Sequence, residues 1–155
     1  MKLKLFSIIL AVLFSFGNGT TNPEVHEITL YVNTSILDNS NIDEVCNFGQ
    51  DPNIPNSEYT ITVRPGDIVV WKGVSTSNEE LDQVLIKAIN HEGGARVFGR
   101  NTLNDTNQNP GIVIGTVTDG KDGDDEKYKL SFKVLNDGVK RNGTFHIDPK
   151  ISVRN

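Results

Sequence analysis

Alternation of apolar and polar residues dominates this chain and predicts strands. His26 to Asn33, HEITLYVN, places Ile28, Leu30 and Val32 on one side and mostly polar groups on the other. That is the period-2 pattern of a half-buried strand. Lys127 to Leu135, KYKLSFKVL, alternates four apolar residues with lysines and serine in the same way. Both segments are predicted to be strands with one buried face.

The stretch EYTITVRPGDIVVWKG predicts two further strands joined at a corner. Pro65 fixes φ at the first central position of a turn, and Gly66 supplies the positive φ that a type II turn requires. A tight corner is therefore expected. The turn leaves open whether its two arms pair with each other or pass into different sheets.

The remaining segments predict shorter elements. Asp82 to Ile89 fits a strand, with a short helix as the alternative, and Gly93-Gly94 is expected to interrupt regular structure. The acidic stretch DGKDGDDE is expected to form a hairpin connection, and a helical turn is expected near Asp43 to Cys46. Further strands are predicted at Arg96 to Phe98, Ile112 to Thr118, Thr144 to Ile147 and Lys150 to Arg154. This order predicts an all-β fold, an antiparallel sandwich or barrel.

The N-terminus predicts export. Lys2 and Lys4 precede an apolar run from Leu5 to Phe16, followed by small and polar residues, which is typical of a cleavable signal peptide over residues 1–17. The run is shorter than the about 20 apolar residues that span a bilayer. We therefore expect a secreted or periplasmic protein, not an integral membrane protein, with one domain over residues 18–155. A signal anchor is the alternative.

Charge and cysteine content narrow the possible partners. Removal of residues 1–17 takes away two lysines and no acid, so the formal net charge moves from −5 to −7. A surface of this sign repels phosphate backbones, so nucleic-acid binding is not expected. Cys46 is the single cysteine and cannot form an internal disulfide. We expect it to be a buried, unreactive residue; pairing with another chain and thiol reactivity are the alternatives.

Two motifs, YTITVRPGDIVVWKG and GTFHIDPKISV, resemble the cupredoxin family, the plastocyanin and azurin type of Greek-key β-sandwich. The resemblance covers Tyr59 to Trp71 and Gly143 to Val153, a minority of the chain. It implies a Greek-key framework. It also implies where copper ligands would lie: a histidine after Trp71, and a cysteine, a histidine and a methionine in the C-terminal loop.

The copper ligands are missing from these places. No histidine follows Trp71 closely, and the C-terminal loop has His146 without cysteine or methionine. His26, His91 and Cys46 are scattered, with none of the paired spacings that set two ligands on one element. His91 is expected in an exposed loop and His146 on the outward side of its strand. A type 1 copper site is therefore not expected.

The acidic stretch offers a weak calcium site. Asp119, Asp122, Asp124, Asp125 and Glu126 supply hard oxygen ligands, with glycines that permit a wrapped loop. The spacing does not match an EF-hand. The alternative is a solvated hairpin tip whose charges discourage edge-to-edge aggregation.

No catalytic motif is present, and neither catalytic residues nor a cofactor are predicted. The sequence favours an exported, non-catalytic binding or structural module. Binding loops are expected at Thr34 to Ser57 and Arg100 to Pro110, with an unidentified protein or glycan as partner. A copper- or calcium-binding protein is the alternative function.

Overall fold

Two β-sheets packed face to face form the molecule. The computed structural model describes residues 22–155, and the predicted signal peptide lies outside them. In chain order the elements are β1 (Val25–Val32), α1 (Ile42–Val45), β2 (Cys46–Asn47), a 3-10 turn (Asn56–Glu58), β3 (Thr60–Val63), β4 (Ile68–Ser75), β5 (Gln83–Gly94), β6 (Thr102–Asn104), β7 (Val113–Thr116), β8 (Asp125–Asn136), β9 (Val139–Lys140), β10 (Phe145–Ile147) and β11 (Lys150–Val153).

Sheet A has the strand order β2-β1-β4-β7, and sheet B has the order β3-β11-β8-β5-β6, with β9 and β10 also paired to β8. The all-β prediction is confirmed. The prediction of purely antiparallel sheets is wrong, because β1 runs parallel to β4 and β3 runs parallel to β11. Both sheets are therefore mixed.

The Pro65-Gly66 corner places its two arms in different sheets. Gly66 has a φ of 97°, and the N–H of Asp67 donates to the carbonyl of Arg64 at 3.0 Å, which closes the predicted turn. The turn carries the chain from β3 in sheet B to β4 in sheet A. Each arm then meets a strand distant in sequence, so the two arms do not pair with each other.

The core lies between the sheets and follows the predicted alternation. The inward residues of β1 and β8 are buried: Ile28, Leu30, Val32, Tyr128, Leu130, Phe132 and Val134. The single tryptophan, Trp71 on β4, is buried with them. The indole N–H of Trp71 donates to the hydroxyl of Tyr128 at 3.1 Å, and its ring meets that of Phe98 edge-on at 5.3 Å. The bond between Trp71 and Tyr128 therefore joins β4 of sheet A to β8 of sheet B.

β5 is longer than the sequence predicts. It continues through Gly93 and Gly94, which were expected to interrupt it, with register shifts against β8 between Ile86 and Ala88 and between His91 and Gly93. Gly94 has a φ of 79°, and a Cβ there would lie 2.1 Å from the carbonyl oxygen of Asp125. The glycine therefore permits close strand approach rather than ending the strand.

Three other local predictions are wrong. Residues 96–98 form a turn rather than a strand, and the Arg100 to Pro110 segment contains β6 instead of being only a loop. The acidic stretch does not form a hairpin, because it leads from β7 in sheet A to β8 in sheet B.

The segment Thr34 to Ser57 closes one side of the sandwich. Leu37, Cys46 and Phe48 are buried, and the ring of Phe48 stacks on Tyr59 with centroids 4.6 Å apart. The guanidinium of Arg141 donates to the carbonyl of Leu37 at 2.7 Å. No helix within residues 22–155 combines the length and apolar character needed to cross a bilayer.

Candidate functional site

The histidines and the cysteine are held by separate partners. His26 contacts Asp67, His91 contacts Glu126, and the Nδ1 atom of His146 lies 3.0 Å from the hydroxyl of Ser131. Within residues 22–155, one group brings three metal-ligating residues together, and it contains only one of these four side chains. The structure therefore does not assemble a copper set from them.

Cys46 is buried, as expected for a small structural residue. Burial, aided by the nearby Asp43 carboxylate, raises the pKa of its thiol to about 12. The thiol is therefore neutral at physiological pH, which makes it a poor nucleophile and a poor metal ligand.

The expectation for His146 is confirmed and that for His91 is wrong. His146 is exposed between the buried residues Phe145 and Ile147. The side chain of His91 is only 15% exposed, because β5 extends through it and turns its Nδ1 atom towards Glu126 at 3.0 Å. The loop assignment failed because it placed the end of β5 before His91.

The five candidate calcium ligands each accept a hydrogen bond from a different donor. Asp119, Asp122 and Asp124 each accept a backbone N–H bond, and Asp125 accepts one from the Ser152 hydroxyl. Glu126 is 1% exposed and points into the protein, since successive strand residues face opposite sides. The calcium site stays a prediction, and Glu126 does not lie with the other four carboxylates.

Glu126 instead holds a turn against β5. Its second carboxylate oxygen accepts the N–H of Val97 at 2.7 Å, opposite the contact with His91. Burial raises the pKa of Glu126, and the two hydrogen bonds oppose that shift. The side chain therefore has a structural role at the end of β5.

A groove lies between the free edges of the two sheets, and we call it the edge groove. β7 is the edge of sheet A and β6 is the edge of sheet B. The cavity has a volume of about 590 Å³, within the range of ligand-binding clefts. Its lining consists of Phe98, Arg100, Thr102, Leu103, Asn104, Asp105, Thr106, Ile114, Gly115, Thr116 and Thr118.

The register of β7 directs unpaired backbone groups into this groove. In an antiparallel pair, residues alternate between bonding the partner strand and pointing away from it. The N–H of Val117 donates to the carbonyl of Asp67, so Val113 and Gly115 bond β4, whereas Ile114 and Thr116 point away. Within residues 22–155, β7 has no second neighbour.

β6 mirrors this arrangement on the other wall. The N–H of His91 donates to the carbonyl of Asn101, and the N–H of Asp105 donates to the carbonyl of Lys87. The alternation therefore turns the backbone groups of Thr102 and Asn104 away from β5. Both residues line the groove, which thus has backbone donors and acceptors on two sides.

The side chains make the groove apolar at its floor and polar at its rim. Leu103 and Phe98 lie against Gly115, while the exposed fraction of Ile114 is 47%. The carboxylate of Asp105 forms an ion pair with Lys87 and accepts the N–H of Gly111. Arg100 makes no ion pair within the described part of the chain, so it is the rim's available cation.

The two predicted binding loops therefore differ. Thr34 to Ser57 uses its polar groups internally: the amide of Gln50 donates to Asn56, which in turn donates to the carbonyl of Cys46. Arg100 to Pro110 forms one wall of the edge groove. The other wall was not predicted, since the outward residues of β7 have no polar motif that marks them.

Comparison with known proteins gives information on the fold alone. No protein-family model matches the chain, and no curated relative matches it. The crystal structure of the inclusion body protein PixA from Burkholderia cenocepacia J2315 is similar, with a TM-score of 0.63 at 16% identity over 88% of this chain and 98% of that one. The N-terminal domain of phage TP901-1 ORF48 gives a TM-score of 0.38 at 15% identity over 85% of this chain and 99% of that domain, too low to compare folds.

Proposed function

We propose that the protein is an exported, non-catalytic binding module that takes an extended polypeptide segment into the edge groove. The main support for this proposal is the register of β7 against β4. It directs the backbone N–H and C=O groups of Ile114 and Thr116 into a groove of about 590 Å³. An extended chain has the complementary groups at the same spacing. Addition of a strand to an open edge is a recurring mode of peptide recognition.

β7 is the wall that receives the segment in this proposal. It has four residues against three in β6, and the exposed side chain of Ile114 supplies apolar contact beside it. Arg100 on the rim favours a segment that carries an acidic residue, because the groove's other charged side chain, Asp105, is already paired. Main-chain bonds would supply affinity, and the rim would supply selectivity.

The framework is proposed to be of the cupredoxin-like Greek-key type, without its copper site. The connection of β3 to β4 across the Pro65-Gly66 corner and the pairing of β1 with β4 and of β3 with β11 support this. The separate surroundings of Cys46 and the three histidines support a role without redox chemistry.

Proline at position 116 tests the proposal. The N–H of Thr116 points away from β4, so Thr116→Pro removes a groove donor without breaking the sheet ladder, and proline is tolerated at such edge positions. Peptides would be selected from a phage-displayed library of random sequences, and their affinity measured by calorimetry. We expect the variant to bind about 10-fold more weakly, by loss of a hydrogen bond and steric exclusion.

Thr62→Pro is the matched control. Thr62 is an exposed threonine on the edge strand β3, and the bonds from Lys150 to Tyr59 and from Arg154 to Val63 leave its N–H outward in the same way. It should retain wild-type affinity. Selection of no peptide, or equal weakening by both prolines, would refute the proposal. If the groove bound a glycan from a glycan array and bound no peptide, that result would also refute the proposal.

A further inference from the structure

Three side chains, two at the start of β1 and one at the turn before β4, form a compact donor set that does not line the edge groove. The ligating atoms of Glu24, His26 and Asp67 all lie within 4.8 Å of one another, and Nε2 of His26 is 2.8 Å from Oδ2 of Asp67. The set combines one imidazole with two carboxylates. We infer that these three side chains form a binding site for a divalent metal ion of the Zn²⁺ type, and that Zn²⁺ is the ion they bind.

The backbone fixes two of the three donors. His26 extends the inward row of β1 beyond Ile28, and its side chain is 19% exposed. Asp67 is 6% exposed, and its two oxygens accept the N–H groups of Glu24 at 2.9 Å and Arg64 at 2.8 Å. Outer hydrogen bonds of this kind orient a ligating carboxylate before the metal arrives.

Glu24 completes the set from the exposed side. The N–H of Ile68 donates to its carbonyl at 2.8 Å, which ties Glu24 to the corner. Its carboxylate makes no hydrogen bond or ion pair within residues 22–155, and no lysine or arginine pairs with Asp67 there. Two carboxylates without a compensating cation favour binding of a positive ion.

The donor types select the ion. Carboxylates alone suit Ca²⁺ and Mg²⁺, whereas an imidazole among them favours Zn²⁺ and its neighbours in the first transition row. Tetrahedral Zn²⁺ with bonds of about 2.1 Å sets two donor atoms about 3.4 Å apart, so His26 must move by about half an ångström. Three protein donors leave the fourth position to water.

The experiment is zinc titration by calorimetry of the full chain, purified without a histidine tag and stripped with a chelator. We expect one Zn²⁺ per chain, and at least about 10-fold weaker binding in both His26→Gln and Glu24→Gln. Glu24→Gln removes an exposed carboxylate and leaves the bonds of Asp67 in place, so it separates ligand loss from misfolding. Co²⁺ in place of Zn²⁺ should give visible bands in the wild type that both variants lose.

Two controls decide the location. Glu27→Gln removes an exposed carboxylate of the same strand, and His146→Gln removes an exposed imidazole elsewhere, and both should bind zinc like the wild type. Absence of zinc uptake would overturn the inference. Uptake that persists in Glu24→Gln and His26→Gln, or that is lost in His146→Gln, would also overturn it.

Discussion

Replacing Trp71 with alanine should lower the free energy of unfolding by about 3–5 kcal/mol. The indole is fully buried, and it joins sheet A to β8 of sheet B through Tyr128 and to the turn after β5 through Phe98. Its removal leaves a cavity between the sheets. It also leaves the hydroxyl of Tyr128 without its donor in a buried site. Urea unfolding followed by circular dichroism measures the change.

A double-mutant cycle isolates the hydrogen bond from the packing. Trp71→Phe keeps an aromatic ring but loses the N–H, and Tyr128→Phe removes the hydroxyl that accepts it. The two changes together should destabilise less than their sum, by about 1 kcal/mol. Additive effects would show that the pair contributes through packing alone.

Glu126→Ala should destabilise the fold by about 2–3 kcal/mol, because it leaves two hydrogen-bonding groups at the end of β5 without their partner. His91 loses the oxygen that lies 3.0 Å from its Nδ1 atom, and the N–H of Val97 loses its acceptor at 2.7 Å. The end of β5 and the turn that follows it should then loosen. Denaturant unfolding gives the magnitude, and amide exchange at Val97 locates the loss.

Asp122→Ala is the control within the same acidic stretch. Its carboxylate is exposed and accepts one N–H, from Asn155 near the C-terminus, so its removal should change stability by less than about 0.5 kcal/mol. A loss as large as that of Glu126→Ala would mean that the whole stretch acts as one structural unit, contrary to the different hydrogen-bond partners of Asp122 and Glu126.

The sequence predicted strands well where alternation runs over many residues. β1 and β8 bury the residues that the period-2 pattern selects, and the Pro65-Gly66 corner forms the expected turn. Local chemistry determines such features: side-chain alternation within a strand and the positive φ of a glycine. Neither the partner strands nor their direction is local, so the parallel pairs were not foreseen.

Glycine-rich segments were predicted less well because glycine has two opposite meanings in a strand. Gly94 was expected to interrupt the strand, yet it allows β5 to approach the backbone of Asp125. Because the strand was expected to end too early, His91 was assigned to a loop, and its contact with Glu126 was not predicted. A single misjudged strand end thus changed the expected environment of two titratable residues.

Only one wall of the edge groove could be predicted from the sequence. A polar loop at Arg100 to Pro110 was identified, and it forms a wall of the edge groove. The facing wall depends on which residues of β7 bond β4, and that register follows from pairing with Ile68 to Trp71. Unpaired backbone groups have no signature in side-chain sequence, so the groove appears only when the sheets are assembled.

Amide hydrogen exchange, measured residue by residue by NMR with and without a selected peptide, tests whether a bound segment pairs with β7. The amides of Ile114 and Thr116 face the groove, whereas the amide of Thr62 faces outward on β3 and serves as the internal reference. We predict that exchange at Ile114 and Thr116 slows about 10-fold with peptide at ten times its Kd, with little change at Thr62. Unchanged exchange at both residues, or new protection along β3 instead, would contradict the account.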